Sequence, residues 1–377
     1  MSSVYIHIPF CASRCLYCDF YSTTTKSDIQ ESYLNALKVE LRQRISELGG
    51  EMPNTIYIGG GTPSQFKGHL LLSLFDDLSK NFDISACREI TIEVNPDDIN
   101  PEYINTLAAT PVNRISMGVQ SFCDAELNFL GRRHDSAGAI NAFNLLRNAG
   151  YKNISIDLIF SLPGQTTDIW NANLQQAINL NPEHISAYNL SYEAGTRITG
   201  MLEAGVITEC DEERSFAMYN SLIDILASGG YEQYEISNFA KSGLRSYHNS
   251  GYWSGVHYLG IGAAAHSYDG NVRRANINDI TEYIKKTETG EIAYTEEEMT
   301  CAQRYNEIVY TSLRTMDGIN LSTIERLFGT KYLYYCTREA DRYIKSGDII
   351  HNADRLILTR KGVFVSDAIC RNLFYVE

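Results

Sequence analysis

The sequence predicts an α/β fold, a partial, TIM-like (βα)6 barrel followed by a mostly helical, winged-helix-like C-terminal module. Three observations carry this. Six short runs rich in β-branched and aromatic residues recur: Val4 to Ile8, Thr55 to Ile58, Glu89 to Val94, Arg114 to Val119, Ile154 to Phe160 and His184 to Leu190. Between them lie stretches with apolar residues at helical spacing, as in Tyr33, Leu34, Leu37, Leu41, Ile45 and Leu48, or Leu70, Leu71, Leu74, Phe75 and Leu78. Strand and helix in strict alternation mean parallel strands with crossover helices. The third observation is that the alternation stops at about residue 237 and helical patterns dominate from Glu296.

Taken in order, residues 1–237 form the barrel. Six units fall short of the eight of a closed barrel, and Glu232 to Phe239 is read as one further edge strand. Residues 238–295 form a Gly- and aromatic-rich connecting segment packed on the barrel, with His248 to Gly270 read as irregular. Residues 296–377 form the C-terminal module. It has helices around Tyr305 to Leu313, Ile324 to Phe328 and Tyr332 to Ile344, then a hairpin over Asp348 to Leu358 and a final helix. A winged-helix order raises nucleic-acid binding, but acidic and basic residues nearly balance there and no basic stripe stands out. A lid or docking role fits better.

The 377 residues carry 46 acidic and 32 basic side chains, a net charge of -14, which argues against a general binder of phosphate backbones. No run of about 18 apolar residues and no signal-like N-terminus are present, so a cytoplasmic protein is expected, with peripheral membrane contact left open. Nine cysteines in such a chain suggest thiols or metal ligands rather than disulfides.

Cys11, Cys15 and Cys18 stand in HIPFCASRCLYCDF, a C-x-x-x-C-x-x-C loop directly after the first strand run. Thiolates suit iron-sulfur clusters, and three without a fourth leave one iron of a 4Fe-4S cubane open. Structural zinc prefers four ligands; His7 is the available fourth, but it lies inside the strand pattern just before Pro9. Cys87, Cys123, Cys210, Cys301, Cys336 and Cys370 show no metal spacing and read as inert thiols.

The loop resembles the signature of the radical SAM superfamily. Over nearly its whole length, from Tyr5 through the C-terminal module, the chain is similar to the oxygen-independent coproporphyrinogen III oxidase family, and within it to the HemW heme chaperone branch. The resemblance implies S-adenosylmethionine (SAM) held at the C-terminal ends of the strands. Gly60, Gly61 and Thr62 of GGGTP, with Glu93 of TIEVNPD, would meet the methionyl amine. Arg132 of LGRRH would meet its carboxylate, as a guanidinium fork does well. Gln120 of SMGVQSF and Asp157 of SIDLIFSLPGQT would reach the ribose, and Tyr5 and Tyr17 would lie beside the sulfonium and adenine. Taken singly, each of these has an ordinary structural role; the joint arrangement is what points to SAM.

Three features separate chaperone from oxidase. The oxidase pattern has a further cysteine two residues after the third ligand, where this chain has Phe20. It also carries a sizeable segment ahead of the first strand, whereas the first cysteine here is residue 11. Finally, His248, Asn249, Tyr252 and Trp253 in YHNSGYWSG match the HNxxYW pattern of the HemW branch. The resemblance therefore implies a chaperone that binds heme as cargo for an acceptor protein. Were the chain an enzyme, it would be a radical SAM oxidoreductase, of the coproporphyrinogen dehydrogenase type or acting on another substrate. His248, Tyr252 and Trp253 are the candidate heme residues, with His257 and His266 of VHYLGIGAAAH next. A histidine beside Tyr and Trp is also a common packing residue.

Overall fold

The computed structural model describes residues 2–24 and 29–376. Its first half alternates as the sequence predicts: β1 (Ser2–Ile8), α1 (Gln30–Arg44), β2 (Pro53–Gly60), α2 (Gly68–Asn81), β3 (Glu89–Val94), α3 (Pro101–Ala108), β4 (Arg114–Gln120), α4 (Asp124–Leu130), α5 (Ser136–Asn148), β5 (Ile154–Phe160), α6 (Thr167–Leu180) and β6 (His184–Asn189). The strands pair in sequence order, all parallel. Alternate residues such as Ile6, Ile58, Ile92, Met117, Ile156 and Ile185 are buried in one core with Tyr33, Leu37, Leu74 and Phe143 of the helices. The other set faces the concave side, and there the strands turn polar: Arg114, Ser116, Gly118 and Gln120 of β4 all line one cavity, as do Asp157 of β5 and Ser186 of β6.

After α7 (Arg197–Glu203) and α8 (Glu212–Ser228) the structure departs from expectation. Glu232 to Phe239 is a tight hairpin, not one edge strand: β7 (Glu232–Glu235) and β8 (Asn238–Ala240) are antiparallel, and β8 lies antiparallel on β6. Glu235 makes the bend, its buried carboxylate accepting from Ser237 N at 3.0 Å and Asn238 Nδ2 at 2.6 Å. His248 to Gly270 is not irregular either. It contains α9 (Tyr247–Trp253), β9 (His257–Ile261) and β10 (His266–Tyr268), followed by β11 (Val272–Asn276), α10 (Ile280–Glu288) and β12 (Tyr294–Glu298). Strand β9 pairs parallel with β1 and β10 to β12 continue antiparallel, so the open sheet grows from both edges to 12 strands. Glycines blur this region's pattern because close backbone approach needs them: a Cβ on Gly260 would stand 2.0 Å from His266 O.

The C-terminal module comprises α11 (Cys301–Leu313), β13 (Ile319–Asn320), α12 (Leu321–Phe328), α13 (Thr330–Ser346), β14 (Ile349–Asn352), β15 (Arg355–Leu358), α14 (Arg360–Phe364) and α15 (Ser366–Leu373). Its strands form a three-stranded wing in the order β13-β15-β14 beside the helices. Arg314, just past α11, pairs with buried Glu235 at 3.0 Å and lies 5.1 Å over the ring of Trp253, tying the module to the barrel.

Candidate functional site

The cysteine loop leaves the top of β1 with its neck fixed, Cys11 N donating to Thr23 O at 2.9 Å and Thr23 N to Pro9 O at 2.7 Å. Its middle is anchored where Leu16 N donates to Leu130 O at 3.1 Å, and Leu16 and Tyr17 pack on Leu130, Ile159 and Leu190. The loop so held brings Cys11, Cys15 and Cys18, each partly exposed, onto one cavity of about 420 Å³. Cys11 Sγ lies 3.3 Å from Thr62 Oγ1, and Arg132 Nη1 donates to Cys15 Sγ at 3.4 Å. Burial pushes the Cys11 and Cys18 thiols up, a cost that bonding to a cation offsets. Among the described residues no three His, Cys, Asp or Glu side chains close on a single-ion site. Thiols spread around one cavity suit a cluster that takes each on a different iron better than one zinc ion.

The same cavity is lined by Tyr17, Gly61, Thr62, Glu93, Gln120, Arg132 and Asp157. Gly60 backs it rather than lining it. Its φ of +115° and the His7 ring, 2.5 Å from where a Cβ would stand, exclude any side chain, and its N–H donates to Glu93 Oε2 at 3.1 Å. Gly61 lets the chain pass Pro9 O, 2.7 Å from its own Cβ position. Glu93 also accepts from Tyr57 Oη at 2.7 Å, and burial with Asp157 nearby raises its pKa to about 7. Burial likewise raises Asp157, which accepts from Ser116 Oγ at 3.4 Å. Gln120 ends β4 at a φ of +69°, a left-handed bend that turns the chain at the strand's last residue. Arg132 is held by Gly118 O, and its buried Nε has no partner among the described residues. A guanidinium and a carboxylate ready to ionise on the lining of one cavity fit the two charges of an amino acid. Arg133 instead pairs with Asp97 and Asp98.

Sequence reasoning missed Tyr57, Arg114, Ser186 and Tyr188, which also line the cavity. The signal was there: every second residue of R-I-S-M-G-V-Q faces inward, as does Tyr57 in T-I-Y-I. Tyr5, expected beside SAM, does not line this cavity. It stacks behind Tyr57 at 6.2 Å between ring centroids and faces a second groove, of about 390 Å³, with Phe20, Tyr21, Tyr252, Tyr258 and His266. Asp19 and Phe20 line both spaces, so the tail of the cysteine loop is the wall between them.

Helix α9 seals the bottom of the barrel. Glu89, the first residue of β3, caps it by accepting from Tyr247 N at 2.9 Å and His248 N at 3.0 Å. His248 is buried, with Thr55 Oγ1 2.8 Å from Nδ1 and Tyr252 Oη 2.9 Å from Nε2. Burial lowers its pKa to about 3, so the ring is neutral. Tyr252 stands edge-on to Tyr258, centroids 4.8 Å apart, on the groove. Trp253 points the other way, to Arg314. His257 lies at the start of β9, outside the groove lining, whereas His266 is in it and exposed. The structure thus brings Tyr252 and His266 together on the groove, with His248 bonded to Tyr252 from behind and Trp253 outside the lining.

Comparison with known proteins agrees with this architecture. The model of the radical SAM superfamily matches residues 5–174, and that of the HemN C-terminal domain matches residues 299–365. The heme chaperone HemW of Bacillus subtilis is 34% identical, over 98% of this chain and 98% of its own. That of Lactococcus lactis is 33% identical, over 96% and 94%. Coproporphyrinogen III oxidase (HemN) from Escherichia coli superposes with a TM-score of 0.84, at 24% identity, covering 99% of this chain and 90% of the other, which establishes the shared fold. Radical SAM membership implies a 4Fe-4S cluster and SAM. The chain belongs to the radical SAM superfamily and, within it, to the family of the heme chaperone HemW.

Proposed function

We propose that this chain is a heme carrier in which Cys11, Cys15 and Cys18 hold a 4Fe-4S cluster and the adjoining cavity holds SAM. The observation that carries the reading is the meeting of all three thiols with Glu93 and Arg132 on one cavity, in a chain whose full-length relatives are heme chaperones. Gly60, Gly61 and Thr62 shape the amine end with Glu93, Arg132 takes the carboxylate, Gln120 and Asp157 the ribose, and Tyr17 the adenine. The bound cluster supplies an open iron and an electron. Glu93 gives up its proton on meeting an ammonium, and Tyr57 Oη with Gly60 N–H orients the resulting carboxylate. In this reading residues 1–237 are the loading unit, residues 238–295 border the heme through Tyr252 of the HNxxYW motif, with His248 bonded behind it and Trp253 turned to Arg314, and residues 296–377 dock an acceptor protein in the cytoplasm.

The test is anaerobic reconstitution of the full chain with iron and sulfide, followed by separate measurements of SAM binding, heme binding and porphyrinogen oxidation. Cluster, SAM and heme should bind without oxidase turnover. Oxidase-like product formation, or a chain that takes up no heme, would overturn the reading.

A further inference from the structure

We propose that the heme lies in the groove between β1, β10 and α9 with His266 as its axial ligand, and that His248 serves only to position Tyr252; this rests on the heme-carrier reading above. Three histidines border this region, and their partners distinguish them. His7 donates from Nε2 to Tyr21 O at 2.9 Å and accepts at Nδ1 from Tyr5 Oη at 3.0 Å, so both nitrogens are engaged. His248 has a hydroxyl on each nitrogen and is buried, so ligating iron would break a buried hydrogen bond and leave a phenol or a threonine unpaired. His266 alone is exposed in the groove, and its ring bonds to no other described residue.

The surroundings suit a flat, largely apolar macrocycle. Phe20, 65% exposed, lines the groove, so its ring is accessible to a stacked ligand. Tyr5, Tyr21, Tyr252 and Tyr258 supply ring faces and edges, and about 390 Å³ lies within the range of roughly 300–1,000 Å³ common for small-molecule sites. His266 sits on β10, whose pairing to β9 and β11 fixes its direction. Because Thr55 Oγ1 donates to Ser3 Oγ, His248 Nδ1 carries the ring proton, and Nε2 accepts from Tyr252 Oη, holding that ring edge-on to Tyr258. The motif histidine thereby acts on the groove through its tyrosine.

The experiment titrates ferric heme into the reconstituted full chain and into His266→Ala, His248→Ala and His248→Gln, reading affinity, Soret position and the low-temperature EPR of the iron. His266→Ala should lose the nitrogen-ligand signature and bind at least tenfold more weakly, with added imidazole restoring the signature. His248→Ala should keep the wild-type signature with a smaller loss of affinity, and His248→Gln, which can still accept from Tyr252, should recover part of it. Unchanged spectra in His266→Ala, or a ligand signature lost in His248→Ala within the folded fraction, would overturn the assignment while leaving heme carriage standing. A wild-type chain that binds no heme would overturn both.

Discussion

At the scale of single residues, the proposed SAM site gives Glu93 and Arg132 different charges to meet, and their surroundings make their variants distinguishable. Glu93→Ala should weaken SAM binding by roughly ten- to a hundredfold, the worth of a charge-assisted contact, with iron content unchanged because Glu93 touches no cysteine. Arg132→Ala should weaken SAM binding similarly and also lower cluster retention, since Arg132 Nη1 contacts Cys15 Sγ at 3.4 Å. Equilibrium binding and iron analysis on both variants check this. The raised Glu93 adds a pH dependence. With its pKa near 7, the carboxyl is protonated below that pH and cannot pair with an ammonium, so SAM affinity should fall by up to about tenfold per unit as pH drops below 7. In Glu93→Ala that slope should vanish. The linkage also acts on folding. A native carboxyl that holds its proton when the unfolded one has lost it makes stability fall as pH rises from the ordinary carboxylate range to about 7, and level off above.

At the scale of elements, much was legible. The six parallel strands and the helices between them came from periodicity, because strands covered on their outer face by helices keep β-branched residues at every second place. The cysteine loop was legible from spacing, and Glu93 and Gln120 from their places near the ends of β3 and β4, with Asp157 on the inward face of β5. What escaped was set by neighbours far off in sequence. Tyr5 was expected at SAM from the family resemblance, but Tyr57 stacks on it and lines the cavity in its place. The hairpin of β7 and β8 depends on Glu235 folding back on Ser237 and Asn238, and strands β9 to β12 are short and glycine-broken. The glycine turn after β2 offers a test of how tightly one element constrains another. Gly60→Ala should cost more than the roughly 1–3 kcal/mol of a strained φ alone, since His7 occupies the place of the new methyl. Urea denaturation measures this, and a variant as stable as the parent would show that the His7 ring yields freely.

At the scale of the whole molecule, the C-terminal module is joined to the barrel by backbone bonds of Ile236 to Arg314 and of Met316 to Tyr234, by the Arg360–Asp224 and Arg273–Glu307 pairs and by Arg314 on Glu235, and Arg314 is the member whose partner is a buried carboxylate. Arg314→Ala would strand the buried Glu235 carboxylate and remove the cation over Trp253, and it should cost about 3 kcal/mol in denaturant unfolding, with faster amide exchange in α9 and α11. Equal exchange in both helices would mean the module is held elsewhere. The wall formed by Asp19 and Phe20 has a further consequence. One face of it belongs to the cavity of the cysteines and the other to the aromatic groove, so a ligand that shifts it from one side alters the fit on the other. Around a closed thermodynamic cycle such an influence is reciprocal: whatever factor SAM imposes on the heme dissociation constant, heme must impose on that of SAM, typically roughly 5- to 150-fold where coupling exists. Titrating each ligand with and without saturating amounts of the other should return two equal ratios different from one, and Phe20→Ala should bring both toward one together. A thin wall of two residues would then let the occupancy of the cofactor chamber decide when cargo is held and when it is released.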